Sequence, residues 1–369
     1  MKKLLPEVCT IQYGFPFDSA KFSDSNGMPL IRIRDVVRGY SETYTTEEYK
    51  SEYIVHENDL LIGMDGEFNI AKWGKTPALL NQRVCRLAPK DSIDKDYLFY
   101  FMPIALKRIE EKTPFVTVKH LSAKELNKIE IPVLSLEEQR KIAETLSKVD
   151  ELIAFREQQL AKLDELVKAR FVEMFGDLVA PQCEYPELKL VDICADADDI
   201  KCGPFGTQLN RDEYKAKGVA VWEIPQINSG FSEMPTHFIT EEKAVILNAY
   251  SIEPGDIAMS RKGNVGKCGL FPENLKKGII HSDVLRIRVD KRKVDSCFMM
   301  YQLHFSEAVK RQIEMVSSGA IMAGINVTKL KQIKVRIPEL ENQRMFAAFV
   351  ERVDQQKQTI QQSLSLIHI

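Results

Sequence analysis

The chain has 369 residues, more than one hydrophobic core usually organises, so we expect two domains. Its composition is ordinary for a globular protein, with 44% hydrophobic and 28% charged residues, and no apolar run approaches the roughly 18 residues that cross a bilayer. The formal charge of −2 argues against a protein that coats nucleic acid through bulk electrostatics, but it is compatible with a local basic surface.

The start of the chain and its cysteines indicate the compartment. The segment MKKLLPEVCTIQYG begins with a basic stretch, but Pro6, Glu7 and Gln12 interrupt the apolar core that a signal peptide needs, so we expect a cytoplasmic protein. The seven cysteines are irregularly spaced and include no Cys-x-x-Cys pair. This pattern favours reduced, mostly buried thiols over a disulfide framework or a zinc site.

The first half of the chain predicts a mixed domain with a few polar residues suited to nucleic acid. An aromatic stretch, YGFPFDSAKF (13–22), precedes a β-rich stretch, PLIRIRDV (29–36). Alternation in the β-rich stretch predicts a strand with Arg32 and Arg34 on one face, and this face contacts either DNA or water. The further candidates for DNA contact in this half are Lys72, Lys75, Gln82 and Arg83.

One long helix is predicted from residue 135 to 178. Its apolar residues recur at alternating spacings of three and four, which is the pattern of a coiled-coil seam. The predicted seam residues are Leu146, Val149, Ile153, Leu160, Leu163 and Val167. Arg156 and Arg170 also occupy seam positions, where a charge lowers stability but can define the register. The alternative is a helix packed only on its own domain.

The second half opens with a loop rich in polar residues and continues with a basic stretch. The loop, GPFGTQLNRDEY (203–214), supplies Thr207, Gln208, Asn210 and Arg211 as DNA-contact candidates, with an ordinary turn as the alternative. From 261 to 293, ten Lys or Arg residues stand against three acids, a balance suited to neutralising phosphates. The candidates here are Arg261, Lys262, Asn264 and Lys267, whose donors match base edges. A hairpin edge protected by lysines is the alternative.

A closing helix, predicted over 337–369, repeats the first one. At a constant offset of 204 residues, segments 126–160 and 330–364 share eleven identities without a gap. The predicted seam residues of the closing helix are Val350, Val353, Ile360 and Leu364. Two such stripes in one chain most simply pack on each other. The second helix is shorter than the first by roughly ten residues when the two are aligned.

The repeat extends upstream of the helices. The segment ENDLLIGMDGEFNIAKWG (57–74) aligns with PGDIAMSRKGNVGKCGLF (254–271), and QRVCRL (82–87) aligns with SDVLRI (282–287). The chain is therefore interpreted as an internal duplication, in which each half is a mixed globular domain followed by one long helix.

Motifs for catalysis are not found in the sequence. The segment RKGNVGKCG (261–269) has the wrong glycine spacing for a phosphate-binding loop, and Cys268 replaces the hydroxyl that would bind magnesium. There is no Asn-Pro-Pro-aromatic tetrapeptide, and the six histidines show no metal-ligand spacing. The sequence therefore predicts neither a catalytic site nor a metal or cofactor site.

The order of these motifs resembles the specificity subunit of type I restriction-modification systems over nearly the whole chain. Each half opens with a stretch like YGFPFDSAKF…GMPLIRIRDV or CGPFGTQL…GVAVWEIPQI, and each carries a core like GDIAMSRKGNVGKCGLF. Each closes with LNKIEIPVLSLEEQRKI or LKQIKVRIPELENQRMF leading into a long helix. Each motif alone is short, whereas their order, repeated twice, is specific.

The resemblance implies an α+β fold with two pseudo-repeated mixed target-recognition domains, residues 1–134 and 179–336. The spacer helices, 135–178 and 337–369, would form an antiparallel coiled coil and the docking surface for a methyltransferase. The implied function is non-catalytic recognition of a bipartite double-stranded DNA target on behalf of adenine-specific methyltransferase and restriction subunits. S-adenosylmethionine, ATP and magnesium would bind only to those partners. A stand-alone or truncated DNA-binding scaffold without a methyltransferase partner is the alternative.

Overall fold

The computed structural model describes residues 1–113, 119–176, 178, 183–317 and 324–367. The chain divides into two compact units, Met1–Phe155 and Arg156–Ile369, and the division falls inside a long helix. The ends of the predicted helical segments, residue 177 and residues 368–369, lie outside the described residues. In the described ranges, no helix is both long enough and apolar enough to cross a membrane.

The first unit begins with short strands and ends with a long helix. Its strands are β1 (Lys2–Leu4), β2 (Cys9–Tyr13), β3 (Phe22–Ser23), β4 (Met28–Ile31), β5 (Tyr44–Thr45), β6 (Ile54–Val55), β7 (Leu60–Gly63), β8 (Ile70–Lys72), β9 (Ala78–Leu80), β10 (Val84–Pro89) and β11 (Glu130–Pro132). Its helices are α1 (Leu5–Val8), α2 (Ile33–Arg38), α3 (Lys95–Lys112), α4 (Ala123–Leu126) and α5 (Leu136–Phe175), of which α5 continues into the second unit.

Three sheets organise the first unit. An antiparallel sheet has the order β2-β10-β7-β8, a second sheet has the order β3-β5-β4-β9-β6 with β4 parallel to β9, and β1 pairs with β11. Successive residues of β7 enter different cores, because side chains alternate across a strand. Leu60 and Ile62 pack with Leu98 and Met102 of α3, whereas Leu61 packs with Trp73.

The second unit repeats these elements. Its strands are β12 (Glu187–Lys189), β13 (Ile200–Cys202), β14 (Val219–Trp222), β15 (His237–Ile239), β16 (Ser251–Ile252), β17 (Ile257–Ser260), β18 (Cys268–Leu270), β19 (Gly278–Ile280), β20 (Val284–Ile287) and β21 (Lys334–Arg336). Its helices, besides the end of α5, are α6 (Ile224–Asn228), α7 (Glu241–Ile246), α8 (Ser296–Phe305), α9 (Glu307–Val316), α10 (Val327–Leu330) and α11 (Leu340–Ile367).

The described sheets of the second unit match those of the first in order and direction, except that β15-β14-β19-β16 has no strand equivalent to β3. The order β13-β20-β17-β18 corresponds to β2-β10-β7-β8, the parallel pair β14–β19 corresponds to β4–β9, and β12–β21 corresponds to β1–β11. In β17, Ile257 and Met259 enter one core and Ala258 enters another, as in β7. The duplication predicted from the sequence is therefore present in the strand topology.

One glycine at the start of each domain is required by a close backbone crossing. A Cβ atom added to Gly14 would lie 1.9 Å from the carbonyl oxygen of Asn81, and one added to Gly203 would lie 2.2 Å from that of His281. These distances are shorter than any van der Waals contact, so only glycine allows the two segments to pass. The crossing places the residues after each glycine beside the residues that precede β10 or β20.

Each long helix is attached to its domain by the same glutamine contact. Gln139 of α5 accepts a hydrogen bond from the backbone N–H of Asp94 at 2.7 Å, and Gln343 of α11 accepts one from Asp295 at 2.9 Å. Asp94 and Asp295 cap the N-termini of α3 and α8. Both glutamine side chains are fully buried, so the contact determines where each long helix starts.

In the second unit, the end of α5 and α11 run antiparallel. Phe171 packs against Phe346 near the start of α11, and Lys357, farther along α11, pairs with Asp164. Leu163, Val167, Val350 and Val353 of the predicted seam contribute to the core, and Leu160, Ile360 and Leu364 are half-buried. The helices contain 40 and 28 residues, and in the first unit Leu146 is exposed while Val149 and Ile153 are half-buried.

The strand predicted for Arg32 and Arg34 is wrong. Strand β4 ends at Ile31, and α2 begins at Ile33. The backbone N–H of Arg32 donates to the Asp35 carboxylate at 2.9 Å, which caps the helix, and Gly39 in left-handed conformation ends it. The two arginines therefore do not share a strand face, although both are exposed.

The cysteines follow the expectation of buried thiols. All seven are free, and five of them are buried. Burial raises the pKa of Cys9, Cys85, Cys194 and Cys268 to about 12. Such thiols stay protonated at neutral pH and act as small apolar side chains.

Candidate nucleic-acid interface

In the first unit, three loops and one later segment meet at one end of the β2-β10-β7-β8 sheet. The backbone N–H of Gln82 donates to Phe15 at 2.9 Å, which joins the loop after β2 to the turn before β10. The N–H of Met64, just after β7, donates to Arg83 at 2.8 Å. The N–H of Leu121 donates to Met64 at 2.7 Å and adds the segment after α3. We call this end of the sheet the first loop edge.

The first loop edge contains a cluster of Asp65, Arg83 and His120. The Nδ1 atom of His120 lies 2.5 Å from Asp65 Oδ1, and the Nε atom of Arg83 lies 3.6 Å from Asp65 Oδ2. The Nη1 atom of Arg83 lies against the same imidazole, 3.2 Å from Nδ1 and 3.4 Å from Nε2 of His120. The guanidinium is thus oriented from two sides while its side chain stays 53% exposed.

The second unit forms an equivalent second loop edge. The N–H of Arg261, just after β17, donates to Asp283 at 2.9 Å, and that of Ile325 donates to Arg261 at 3.2 Å. The guanidinium of Arg261 stacks 4.7 Å from the ring centre of Phe205, which joins the loop after β13 to the same place. Lys262 forms an ion pair of 2.8 Å with Asp283.

Several predicted residues lie at the two loop edges and others do not. Gln82 and Arg83 lie at the first edge, and Arg261, Lys262 and exposed Asn264 lie at the second. Thr207 and Gln208 are two and three residues after Phe205, and Gln208 accepts from the backbone N–H of Phe205 at 3.0 Å. The residues without a link to an edge are Lys72, which pairs with Asp96 at 2.8 Å, and Lys75, Asn210 and Arg211, which are exposed. Lys267 is joined to the second edge by its backbone N–H, which donates to Asn264 at 3.1 Å, while its ammonium donates to the Asn228 carbonyl.

The basic stretch predicted from 261 to 293 is not one surface. Arg286 is buried and donates to the carbonyl oxygens of Ser251 and Asp198, and burial lowers its pKa. Arg288 forms two hydrogen bonds of 2.7 Å with Asp256, and Arg292 pairs with Asp290 at 2.8 Å. These arginines form contacts within the protein, so counting charges along the sequence overestimates the cations available to DNA.

A basic cleft beside the first loop edge was missed from the sequence. It has a volume of about 660 Å³, and its cationic lining residues include Arg108, Lys112, Lys128 and Lys2, with His120 at the same wall. Lys128 pairs with Glu125 and Lys2 with Glu130, whereas Arg108 and Lys112 form no ion pair within the described residues. Their spacing of four on α3, which places both on one helix face, is the signal that could have identified them.

Asp65, His120 and Asp283 also lie at the loop edges but are not among the residues predicted from the sequence. Aligning Gly66 with Gly263 places Asp65 opposite Lys262, and this alignment was the available signal for both loop edges. Within the described ranges, no group of three or more His, Cys, Asp or Glu side chains is arranged to bind a metal.

The duplicated fold and its two polar loop edges suit a protein that recognises DNA. The chain belongs to the type I restriction modification DNA specificity domain family, whose model matches residues 1–165 and 199–367. The family predicted from the repeated motifs is therefore confirmed, and with it the reading of the chain as a subunit that recognises DNA sequence.

Curated relatives cover most of the chain. The EcoBI specificity subunit of a type I restriction enzyme from Escherichia coli is 28% identical over 376 residues, covering 95% of this chain and 78% of the relative. The MjaVIII specificity subunit from Methanocaldococcus jannaschii is 25% identical, covering 88% of this chain and 82% of the relative.

Two solved structures share the fold. The type I restriction-modification S subunit from M. genitalium has a TM-score of 0.59 at 17% identity, covering all of this chain and 92% of the other. A second structure, from work on assembly of a type I system, has a TM-score of 0.59 at 16% identity, covering 100% and 94%.

Proposed function

We propose that the chain recognises a bipartite DNA sequence, one half-site per domain, and brings methyltransferase and restriction subunits to it. The observation that supports this most directly is the duplication of the loop edge. Two edges built on the same backbone hydrogen bonds, but with different side chains, suit two different half-sites. The relatives named as specificity subunits favour this function over a stand-alone scaffold.

Two kinds of contact are assigned to the first domain. The side chains at the loop edges are candidates for base recognition, because they combine exposed cations with amide and carboxylate groups. Arg108 and Lys112 in the basic cleft are candidates for phosphate contacts, since unpaired cations that line a concave surface neutralise a phosphate backbone without sequence preference. Candidate contacts of the second domain are centred on Arg261, Lys262 and Asn264.

The partners in this proposal carry the chemistry. Adenine-specific methyltransferase subunits would bind S-adenosylmethionine, and restriction subunits would bind ATP and magnesium, while this chain selects the site. The long helices α5 and α11 are proposed as the spacer and the docking surface for the methyltransferase. The overall charge of −2 is consistent with a complex in which partners contribute part of the phosphate contact.

Methylation mapping tests this function. The chain is co-expressed with the methyltransferase subunit from its own operon in a host without such modification, and methyladenine is mapped by long-read sequencing. We expect one split motif with an undefined spacer. An intact complex that methylates no motif, or a single continuous one, would contradict the proposal.

A further inference from the structure

The two loop edges place an ion pair at the same backbone position but with opposite polarity. In the first unit, the acid Asp65 follows β7 and the cation Arg83 precedes β10. In the second unit, the cation Lys262 follows β17 and the acid Asp283 precedes β20. The positions are equivalent because the neighbouring backbone bonds match, at 2.8 Å from Met64 to Arg83 and 2.9 Å from Arg261 to Asp283.

We infer that the Asp65–Arg83 and Lys262–Asp283 pairs determine which base sequence each half-site must have, and that Arg83 recognises a guanine. This inference rests on the proposed function. The backbone holds both pairs in the same place, so the difference between the edges lies in which strand supplies the cation and whether that cation is planar. A domain duplicated in this way recognises a different base pattern without any change of fold.

The geometry of Arg83 suits a guanine edge. Its Nε faces Asp65 and its Nη1 faces His120, while Nη2 makes no hydrogen bond within the described residues. A guanidinium oriented by a carboxylate is the group that forms paired hydrogen bonds with guanine O6 and N7 in the major groove. Asp65 and His120 act here as positioning residues, since they contact the guanidinium and leave its outer end free.

At the position equivalent to Asp65–Arg83, the second edge presents a different pair of groups. Lys262 carries a single ammonium on a flexible stem, and its neighbour Asp283 adds a carboxylate that accepts hydrogen bonds. The ammonium of Lys262 and the carboxylate of Asp283 match different base edges from the planar guanidinium of Arg83, because a carboxylate accepts a hydrogen bond from the cytosine amino group. His281, 3.8 Å from Asp283, occupies a different place from His120.

Stability does not explain these pairs. The cations are 53% and 45% exposed, and ion pairs at such exposure contribute little to folding. Arg83 also adopts a φ of 72°, a left-handed conformation that is unfavourable for a residue with a long side chain. Unfavourable backbone conformations of this kind persist where the surrounding structure imposes them, and they are concentrated at binding sites.

The test uses the complete complex and maps the methylated motif of three variants. We expect R83A to lose discrimination at one base position of one half-site, by roughly 5- to 150-fold, with the other half-site unchanged. K262A should alter only the other half-site, so each variant is the internal control of the other. K334A removes an exposed lysine that pairs with Glu187 at 2.8 Å on β12–β21, and it should leave the motif unchanged.

Asp65→Asn provides the readout for positioning. It keeps the size of the side chain and removes the charge, so it should reduce discrimination at the same base position as R83A with an unchanged thermal midpoint.

A wild-type motif in both R83A and K262A, or changes in the same half-site, would overturn the inference, while a split motif methylated by the wild-type complex would still support the proposed function. If R83A abolishes methylation, binding of its complex to oligonucleotides substituted at each half-site base decides instead. Wild-type base preference in that assay also overturns the inference. A wild-type complex that methylates no split motif refutes the proposed function itself, and the inference with it.

Discussion

The start of the long helix has a different environment in each unit. In the second unit, Phe346 in the second turn of α11 is fully buried among Phe171, Phe175 and Tyr301. In the first unit, Ile142 of α5 stands 204 residues earlier, at the equivalent position, and it is 38% exposed. The glutamine contact three residues before each of them is the same. The duplicated halves therefore keep the buried polar contact that positions the helix, whereas the apolar residue beside it has diverged with its surroundings.

The largest expected effect that tests the difference between Phe346 and Ile142 is on the free energy of unfolding. We expect Phe346→Ala to lower the free energy of unfolding of the second unit by about 3–5 kcal/mol, because it empties a filled aromatic core. The matched Ile142→Ala should cost below about 1 kcal/mol, since its side chain is partly in water. Urea denaturation combined with native-state hydrogen exchange of the amides in β10 and β20 measures the two units separately. Equal losses of unfolding free energy in the two variants would show that the two side chains have similar environments.

Much of the fold was predictable because it depends on repeated local patterns. The heptad spacing predicted two helices that pack on each other, the family resemblance implied their antiparallel direction, and the alignment of 57–74 with 254–271 predicted the repeated mixed domain. Arg32 and Arg34 were misplaced because alternation over four residues was taken for a strand. Asp35, three residues after Arg32, provided the competing signal of a helix cap.

The site was less predictable because its members are distant in sequence. His120 lies 55 residues from the Asp65 that it contacts, and Arg288 lies 32 residues from Asp256. No spacing rule connects such pairs, so Arg288 was counted as an available cation and His120 as an isolated histidine. Only the contacts of the folded chain show that the first is used internally and the second orients Arg83.

An intermediate effect distinguishes the cleft of the first unit from the loop edges. The double variant R108A/K112A should weaken binding of the complex to all DNA sequences alike, on the order of 10-fold at physiological salt, with the methylated motif unchanged. The slope of log affinity against log salt should fall by about 1.8, since two phosphate contacts are lost. Fluorescence anisotropy over a salt series measures both quantities.

The charge-conserving variant R108K/K112R is the matched control for the cleft. It keeps both cations, so its salt slope should equal that of the wild-type complex. A double alanine variant with an unchanged slope would show that the cleft does not contact phosphate. In the second unit, Gln312, 204 residues after Arg108, bonds to the backbone of Lys334.

The smallest effect concerns the residue after β10 and its equivalent after β20. Lys90 and Asp290 make the same backbone bond, each donating at 2.9 Å to a residue near the start of its domain, but their side chains carry opposite charges. Lys90 donates to the carbonyl of Pro6 at 2.7 Å, whereas Asp290 accepts from Arg292. The Arg292 side chain and backbone hydrogen bonds lower the pKa of Asp290 from 3.8 to about 2.

This difference makes only the second unit sensitive to acid at that position. Because the folded-state pKa of Asp290 is lowered, its stabilisation is present above pH 3.8 and is lost as the pH falls towards 2. The first unit has Lys90 in place of a carboxylate at this position, so we expect no matching dependence there. We expect D290N to lose less stability than the wild-type protein between pH 4 and pH 2.5, while K90M follows the wild-type change. Parallel pH profiles for wild type and D290N, measured by urea denaturation with hydrogen exchange in β20, would mean that the Asp290–Arg292 pair does not couple folding to protonation.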